Sequence, residues 1–518
     1  YREIEGKLLK EDFKDEYKLL DVDFVPREIG TDSDFTFPTR TVLSYAKTTD
    51  WDTKLRVFGL TNMCLTYNNR RPLRYNSNPP MVNIKWGSQP NSQAAMQAYI
   101  NNIMLLIRNK VVANNGDLSR TKIVWFYPNS MSPRRLTQLR DAWNTAYEEM
   151  FGGNGQTINI SESIAPIQYY FRRYSTATSL VNVDIGGGTT DIAFSSKGNV
   201  DCLTSFKFAA NSLFEDSLSD INPSNGIVDW FKDGIKQLLE STHGDNGISD
   251  LVGIFNNIDG QPANMASFLF SLVDNSATKG FAKNKIDFNR ILQDDSKFKI
   301  VFVIFYSALI YHIAQIVKVK NLDLPRHIAF SGNGSRVVKI VSSDNKVLST
   351  YTKLIFEKVL GKKFDKPLEI LGFEHGANPK ESTCKGGLLS NAPQSVPPQD
   401  IILMDSNGGL VGKGNTYKNL TMGDRQKIVM SIKGFFKFVL DEMPKEINFD
   451  KNFGVEEASL QIAREVCCND LETYLDKGIE LSAAESGDGD CQIGEALLFY
   501  PIKGALQSLS DRIKEYNT

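Results

Sequence analysis

The spacing of apolar residues along the chain predicts a mixture of strands and helices. Short apolar runs rich in β-branched residues predict buried strands, at 122–128, 158–160, 181–185, 190–194 and 327–330. Apolar residues at every third or fourth position predict amphipathic helices, at 93–112, 133–151, 420–443, 455–480 and 493–516. Ser132 and Pro133 support the start of the second helix, because serine is a good N-cap and proline suits the first helical position.

One segment, 300–317, is apolar enough to be mistaken for a membrane span. It is close to the minimum length that crosses a bilayer. However, it contains His312 and Gln315, lysines lie close to both of its ends, and it leads directly into a predicted strand. We therefore predict a buried core helix and no membrane contact.

Other segments have weaker patterns. Apolar runs on either side of a turn at 30–34 predict a hairpin, with strands at 19–26 and 37–45. The segment 46–92 is rich in Asn, Pro, Arg and Gly, so it is expected to consist mostly of loops. Three further expectations are a helical insertion with loops at 220–297, a proline-bearing linker at 391–398 and a short hairpin at 401–412.

The amino-acid composition mainly argues against several kinds of binding site and partner. With 518 residues, the chain is long enough for two or more domains with substantial cores. A formal net charge of −2 gives no electrostatic case for nucleic acid, which would call for a basic stripe. The six cysteines are scattered without a C-x-x-C pair and the four histidines do not cluster. Neither a zinc site nor a disulfide framework is therefore expected, and a reducing, cytoplasmic location is favoured. The start as given carries no signal peptide and begins at Tyr1, so we expect a fragment or a processed form.

The stretch with the clearest chemistry is 181–194, VNVDIGGGTTDIAF, which reads as strand, glycine turn and strand. Glycine lacks a Cβ, so its backbone can approach an anion closely and can adopt a positive φ. The hydroxyls of Thr189 and Thr190 add donors. The acids Asp184 and Asp191 would repel a bare phosphate, which indicates a metal or a water between them and the anion. The alternative is a glycine hairpin with two solvated aspartates, but the whole pattern favours a phosphate site.

The segment from Asp184 to Asp191 resembles the second phosphate loop of the actin-like ATPases. This superfamily includes actin, bacterial actin homologues, sugar kinases and the ATPase domains of heat-shock chaperones, and the resemblance is closest to the chaperones. The resemblance implies ATP or ADP and Mg²⁺ as cofactors. It also implies that Asp184 and Asp191 act on Mg²⁺ through water. The phosphate would be held by the residues between these acids, namely Gly186, Gly187, Gly188, Thr189 and Thr190.

Two further segments resemble parts of the catalytic machinery of the same family. Residues 158–170 are similar to its first connecting motif, which implies that Glu162 orients the attacking water. The alternative for Glu162 is an acid that interacts favourably with a helix N-terminus. Lys85, followed by Trp86 and Gly87, falls where the chaperones carry a catalytic lysine, and the alternative is a surface lysine.

Residues 327–340 resemble the family's adenosine motif, a strand followed by a glycine turn and a helix. The resemblance implies that adenosine is contacted by Gly332, Asn333, Gly334, Ser335 and Arg336. A planar guanidinium suits stacking on a purine. The alternative is an ordinary glycine-tightened turn. Residues 377–389 resemble the second connecting helix, in which small residues let two helices cross closely.

The chain departs from the family pattern in two places. The family's first phosphate loop is not found in this chain, since Glu28 to Thr31 is better interpreted as a hairpin turn. The glycine pair expected after the central loop is absent from 208–218. Both departures favour a nucleotide-binding scaffold that does not hydrolyse ATP over an active ATPase.

The resemblance predicts an α/β protein with the two-lobed actin-like fold and a mainly helical C-terminal appendage. The predicted divisions are a first lobe at 1–180, a second lobe with a hinge helix at 181–390, and a linker with helices at 391–518. The protein is predicted to couple ATP binding to lobe closure. It is also predicted to hydrolyse ATP if a first phosphate loop exists upstream. A filament-forming protein is another alternative, and a sugar kinase is a weaker one. Residues 391–518 are expected to meet a protein partner or another copy of the chain.

Overall fold

The computed structural model describes the chain in sections, and the structural statements below concern these sections. They are residues 41–45, 58–62, 84, 92–129, 131, 133–152, 157–174, 179–215, 223–242, 246–274, 278, 280–373, 379–389, 416–485, 493 and 496–518. The predicted strand at 19–26, the linker at 391–398 and the hairpin at 401–412 lie outside them. So does Lys85.

The first described elements are two short strands that pair with each other. Strand β1 (Thr41–Tyr45) runs antiparallel to β2 (Phe58–Asn62), with Thr41 opposite Asn62. The first strand lies within the strand predicted at 37–45. The second lies in the segment predicted to consist mostly of loops, so that prediction was wrong there. Its five residues include a glycine and an asparagine, which are depleted in strands, so the local pattern hides it.

The next unit is a strand–helix–strand arrangement preceded by a long helix. Its elements are α1 (Ser92–Ala113), β3 (Ile123–Tyr127), α2 (Pro133–Met150) and β4 (Thr157–Ser161), and β3 and β4 are parallel. The rings of Trp125 and Trp143 stack at 5.8 Å between β3 and α2. These elements confirm the predicted strands and helices to within one or two residues.

A five-stranded mixed sheet forms the centre of the molecule, in the order β7-β6-β5-β8-β9. Its strands are β5 (Ser179–Ile185), β6 (Thr190–Ser196), β7 (Asn199–Phe206), β8 (His327–Ser331) and β9 (Glu369–Leu371). The first three form an antiparallel meander, and β8 and β9 run parallel to β5. The three residues of β9 are too few to show a periodic pattern, so this strand is not predicted from the sequence.

One face of the sheet is covered by two helices that cross closely. They are α3 (Ala165–Arg173) and α13 (Pro379–Leu389). A Cβ built at Gly386 would lie 1.7 Å from the Ala165 carbonyl oxygen, so the crossing requires glycine at this position. A Cβ at Gly387 would lie 2.5 Å from the ring of Phe126 in β3. Helix α13 therefore contacts both the central sheet unit and the strand–helix–strand unit, and the predicted close crossing of small residues is confirmed.

The other face of the sheet packs on a large helical core. The insertion predicted at 220–297 is helical, with α4 (Asn211–Phe214) preceding it and α5 (Gly226–Glu240), α6 (Asn246–Ile258), α7 (Pro262–Ser271), α8 (Lys283–Ile286) and α9 (Phe288–Asp294) within it. Helix α10 (Lys299–Lys320) follows, then α11 (Val338–Val341) and α12 (Asn345–Leu360) after β8. Among the described helices, α10 alone has the length and apolar character of a membrane span, and 94% of its most apolar window is buried inside the protein. The predicted core helix is confirmed.

The C-terminal helices belong to this same core and do not stand apart as an appendage. They are α14 (Met422–Lys437), a π-helical turn (Phe438–Glu442), α15 (Met443–Glu446), α16 (Phe449–Phe453), α17 (Glu457–Val466), α18 (Leu471–Glu485) and α19 (Phe499–Asn517). Phe499 stacks on Phe206 and Phe208 at 4.5 Å, and a Cβ at Gly226 would lie 2.1 Å from the Ser510 carbonyl oxygen. The single helix predicted at 455–480 is two helices, since Asp470 between them has a left-handed φ of 52°.

Candidate functional site

A row of four polar side chains crosses the central sheet at one end. By strand register, Asp184 of β5 lies opposite Asp191 of β6 on one side and Ser331 of β8 on the other, and Asp191 lies opposite Ser205 of β7. Asp184 is 6% exposed and Asp191 is 2% exposed. The Ser331 hydroxyl donates a 2.8 Å hydrogen bond to Asp184 Oδ2, and a hydrogen bond from the Ser205 side chain lowers the pKa of Asp191. We call these four residues the acid row.

The acid row carries more negative charge than its surroundings favour. Burial, together with the charges of Asp184 and Glu162, raises the pKa of Asp191 to about 7. The Asn129 backbone N–H opposes this effect by donating to Asp191 Oδ1 at 3.1 Å. Glu162 is half-buried directly after β4, where its N–H donates to the Tyr127 carbonyl at 2.9 Å. The structure therefore brings together the three acids that the sequence singled out.

The glycine turn beside the acid row is tight and open at its tip. The Gly186 N–H donates to the Thr189 carbonyl at 2.9 Å, and Gly187 and Gly188 are exposed while Thr189 is partly exposed. None of the three glycines has a positive φ, although glycine would permit one. What glycine provides here is space, since a Cβ at Gly187 would lie 3.0 Å from the Asn211 side-chain oxygen.

The back of the turn rests on the segment before α4. The carbonyls of Gly186 and Gly187 accept hydrogen bonds from the N–H groups of Ala210 and Asn211, at 3.3 Å and 2.8 Å. The Thr190 hydroxyl is fully buried and donates to the Phe208 carbonyl at 2.6 Å. Thr190 therefore differs from the expectation of a phosphate contact, because its hydroxyl is already used to hold the turn in place.

The second glycine turn packs directly against the first. A Cβ at Gly332 would lie 2.5 Å from Asp184 Oδ1, and one at Gly334 would lie 2.1 Å from the Gly186 carbonyl oxygen. Gly332 also has a left-handed φ of 79°, which favours glycine. Two segments separated by about 140 residues in the chain thus form one site, and both glycines are required by the close approach.

The side chains of the second turn divide into two groups. Ser335 is buried, and its hydroxyl donates to the Gly332 carbonyl at 2.7 Å, so it stabilises the turn. Asn333 and Arg336 are exposed, and Arg336 forms no ion pair with any described residue. Of the five residues expected to contact adenosine, these two have side chains that are free to reach a ligand.

A buried network of polar side chains joins the acid row to the strand–helix–strand unit. The Asn129 side chain donates to Ser163 Oγ at 2.7 Å and accepts from Ser161 Oγ at 2.6 Å. Asn182 donates to the Ser163 carbonyl at 3.0 Å and to Ser331 Oγ at 3.1 Å. Because Asn129 also bonds Asp191 through its backbone, movement of one unit relative to the other would alter the surroundings of both acids.

Sequence reasoning did not identify the members of this network. One signal was available for Asn182, which lies two residues before Asp184 in the same strand and therefore on the same face. Asn129, Ser161, Ser163 and Ser331 follow or end strands, where serine and asparagine also occur as ordinary turn residues. These residues come together because β3, β4, β5 and β8 end at the same side of the fold, and the sequence alone does not show this.

The donor set fits a divalent cation held through water. Within the described ranges, no group of three or more His, Cys, Asp or Glu side chains is arranged to hold a metal ion directly. Two facing carboxylates with a third acid nearby nevertheless place acidic groups together beside the open glycine turn. Hard cations such as Mg²⁺ keep several waters and use one or two protein carboxylates together with substrate phosphates.

The raised pKa of Asp191 should make the free energy of unfolding depend on pH. The unfolded state has the ordinary pKa of 3.8, so between that value and about 7 the native state binds more protons. The contribution of Asp191 to stability is therefore fully present below pH 3.8 and is lost as the pH rises from there through about 7. We expect the wild type to lose about 2 kcal/mol between pH 5 and pH 7, relative to Asp191→Asn, in urea unfolding without divalent cations.

The matched control for this experiment is Asp201→Asn, which removes an exposed acid from β7. It should retain the wild-type pH dependence. An Asp191→Asn profile parallel to the wild type would show that Asp191 is ionised throughout this pH range and that the acid row is better solvated than its burial indicates.

A scan against known protein families and a search of curated proteins find no match to this chain.

Proposed function

We propose that the protein binds Mg²⁺-ATP between the two glycine turns, in the manner of the actin-like ATPases. The observation that carries this proposal is the position of the facing acids Asp184 and Asp191 at the foot of an open glycine turn. Negative charge at this position disfavours a bare anion and favours a cation–phosphate complex. The second turn packs on the first at Gly332 and Gly334, so both motifs would address the same ligand.

The residues have separate roles in this proposal. Asp184 and Asp191 would hold the cation through water, and the bound cation would neutralise charge on the phosphates. The exposed tip at Gly187 and Gly188 would receive the phosphates, and the Arg336 guanidinium would pack on the purine. Glu162 lies close enough to affect Asp191 and would orient a water molecule for attack on the terminal phosphate.

The proposed output of nucleotide binding is lobe closure. Helix α13 contacts both β3 and α3, and the Asn129 network joins β3 and β4 to the acid row. A change in charge at Asp184 and Asp191 would therefore act where the two units meet, as a hinge mechanism requires. The exposed side chains of Met422 and Met430 on α14 support the proposal that residues 391–518 meet a protein partner or another copy of the chain.

A scaffold that binds nucleotide without hydrolysis is the second candidate. One observation favours it: the segment 208–218 lacks the family's glycine pair, and the N–H groups of Ala210 and Asn211 within it bond the carbonyls of Gly186 and Gly187. Those N–H groups are then not available to a phosphate. A filament-forming protein or a sugar kinase remains a further alternative, and sedimentation with and without ATP would identify the filament.

The test of the proposal is a calorimetric titration of the protein with ATP, in the presence of Mg²⁺ and of a chelator, combined with a phosphate-release assay. Binding that needs Mg²⁺ together with phosphate release would support an ATPase. Binding without release would support the scaffold. Binding that is equally strong in chelator would contradict the proposed role of the acid row, and no binding in either condition would overturn the nucleotide proposal.

A further inference from the structure

A second cavity, of about 300 Å³, lies at the end of the central sheet opposite the acid row. It is lined by Ser179 at the start of β5, by Lys197 in the turn between β6 and β7, and by Arg326 directly before β8. The acid row contains Asp184 near the end of β5 and Ser331 at the end of β8. The cavity and the acid row are therefore separated by the length of these strands.

The walls of this cavity are strongly basic. Four of its lining residues are cationic, namely Lys197, Arg326, Lys353 and Lys366, and Asp323 is its single acid. Lys353 is paired with Glu357 at 3.6 Å, but the other three cations form no ion pair with a residue in the described sections of the chain. Asp323 offsets one of these three charges, and the remaining excess of cations around the cavity forms a local site for negative charge in a protein whose formal net charge is −2.

The backbone fixes the points at which two of these side chains leave the chain. The Arg326 N–H donates to the Ser179 carbonyl at 3.1 Å, and its own carbonyl accepts from the Glu369 N–H at 2.8 Å. Lys197 has a φ of 50° and Gly198 a φ of 88°, in a two-residue turn between adjacent strands. Asparagine, aspartate or glycine is preferred at the first position of such a turn. A lysine in this strained position is consistent with a requirement for a cation there.

The remaining wall of the cavity is apolar. It is formed by Leu324, Pro325, Phe364 and Pro367. Guanidinium and ammonium groups bind phosphates and carboxylates through charge-assisted hydrogen bonds, and an apolar wall beside them favours an attached ring or aliphatic group. We propose that this cavity binds a small organic anion, in which a phosphate or carboxylate is joined to an apolar group.

Lysine footprinting can test this proposal at the residues concerned. The protein would be acetylated with acetic anhydride, with and without phenyl phosphate or benzoate, and each lysine would be quantified by mass spectrometry. For a dissociation constant of about 1 mM, a ligand at ~10 mM occupies about nine-tenths of the sites, so labelling of Lys197 and Lys366 should slow about tenfold. The comparison of phenyl phosphate with benzoate shows which anionic group is preferred.

Lys346 provides the internal control, because it is exposed on α12 and does not line the cavity. Its labelling should not change, and benzyl alcohol, which lacks the charge, should protect none of these lysines. Arg326→Gln should abolish protection of Lys197, and Lys366→Gln offers the same readout at an exposed position should the first variant not fold. Lys346→Gln should leave protection intact.

This inference does not depend on nucleotide binding. Asp184→Asn should retain the protection of Lys197 and Lys366 whether or not the protein binds ATP. Equal slowing at Lys346, protection by benzyl alcohol, or no protection by either anion would each overturn the proposal. Protection by phenyl phosphate that persists in both Arg326→Gln and Lys366→Gln would overturn it as well.

Discussion

Replacing Asp184 with asparagine should weaken Mg²⁺-ATP binding about 100-fold without destabilising the fold. Asparagine keeps the shape of the side chain and can still accept the hydrogen bond from Ser331, so only the charge is removed. Loss of one charged partner in a buried site costs about 3 kcal/mol, which corresponds to about a 100-fold change in affinity. The fold should be at least as stable, because the variant removes the repulsion between Asp184 and Asp191.

The measurement is calorimetric titration at a pH about one unit above the Asp191 pKa, where both acids of the wild type are ionised. Asp201→Asn serves as the control, since it removes an exposed acid of the same sheet and should bind like the wild type. Urea unfolding of the same samples separates loss of the site from loss of the fold. Undiminished binding by a stably folded Asp184→Asn variant would be incompatible with cation-mediated phosphate binding at the acid row.

Replacing Gly386 with alanine should destabilise the protein by about 3 kcal/mol. The added Cβ would lie 1.7 Å from the Ala165 carbonyl oxygen, and this contact is with backbone that no side-chain rotation can relieve. Helices α3 and α13 would have to separate, at the upper end of the usual cost of overpacking a core. Because α3 follows Glu162 and Ser163 directly, the separation would also disturb the acid row.

Gly434→Ala is the matched control, because Gly434 is also helical but a Cβ there meets no atom within 4 Å. Alanine favours a helix over glycine by about 1 kcal/mol, so this variant should be slightly stabilised. Chemical unfolding monitored by circular dichroism would compare the two variants. Similar stability of Gly386→Ala and Gly434→Ala would mean that the crossing of α3 and α13 is looser than the structure shows.

The strands and helices with a clear period were the predictable part of the fold. The glycine-turn hairpin of β5 and β6, the strand–helix–strand unit around α2 and the core helix α10 all follow from local patterns. Strands β2, β7 and β9 were not predicted; β2 contains Gly and Asn and β9 has only three residues, so these two give no periodic signal. These strands form because they pair with strands elsewhere in the chain.

The residues of the candidate site were likewise predicted only in part. The sequence singled out Glu162, Asp184, Asp191 and the two glycine turns, because each lies in a short pattern with its own chemistry. It did not identify Asn129, Asn182 or Ser163, which join the acid row to the neighbouring unit through hydrogen bonds between residues far apart in the chain. It also assigned the Thr190 hydroxyl to phosphate, although the structure bonds it to Phe208.

By itself, the sequence determined the strands and helices with a clear local period and the residue types that surround the central glycine turn, because both depend on neighbours in the chain. Tertiary structure decided that Asp184 and Asp191 face each other, that Gly334 abuts Gly186, and that the C-terminal helices complete the core. The physical reason is that strand register, close backbone contact and burial depend on segments distant in sequence. Packing determines these properties, and a local pattern does not contain them.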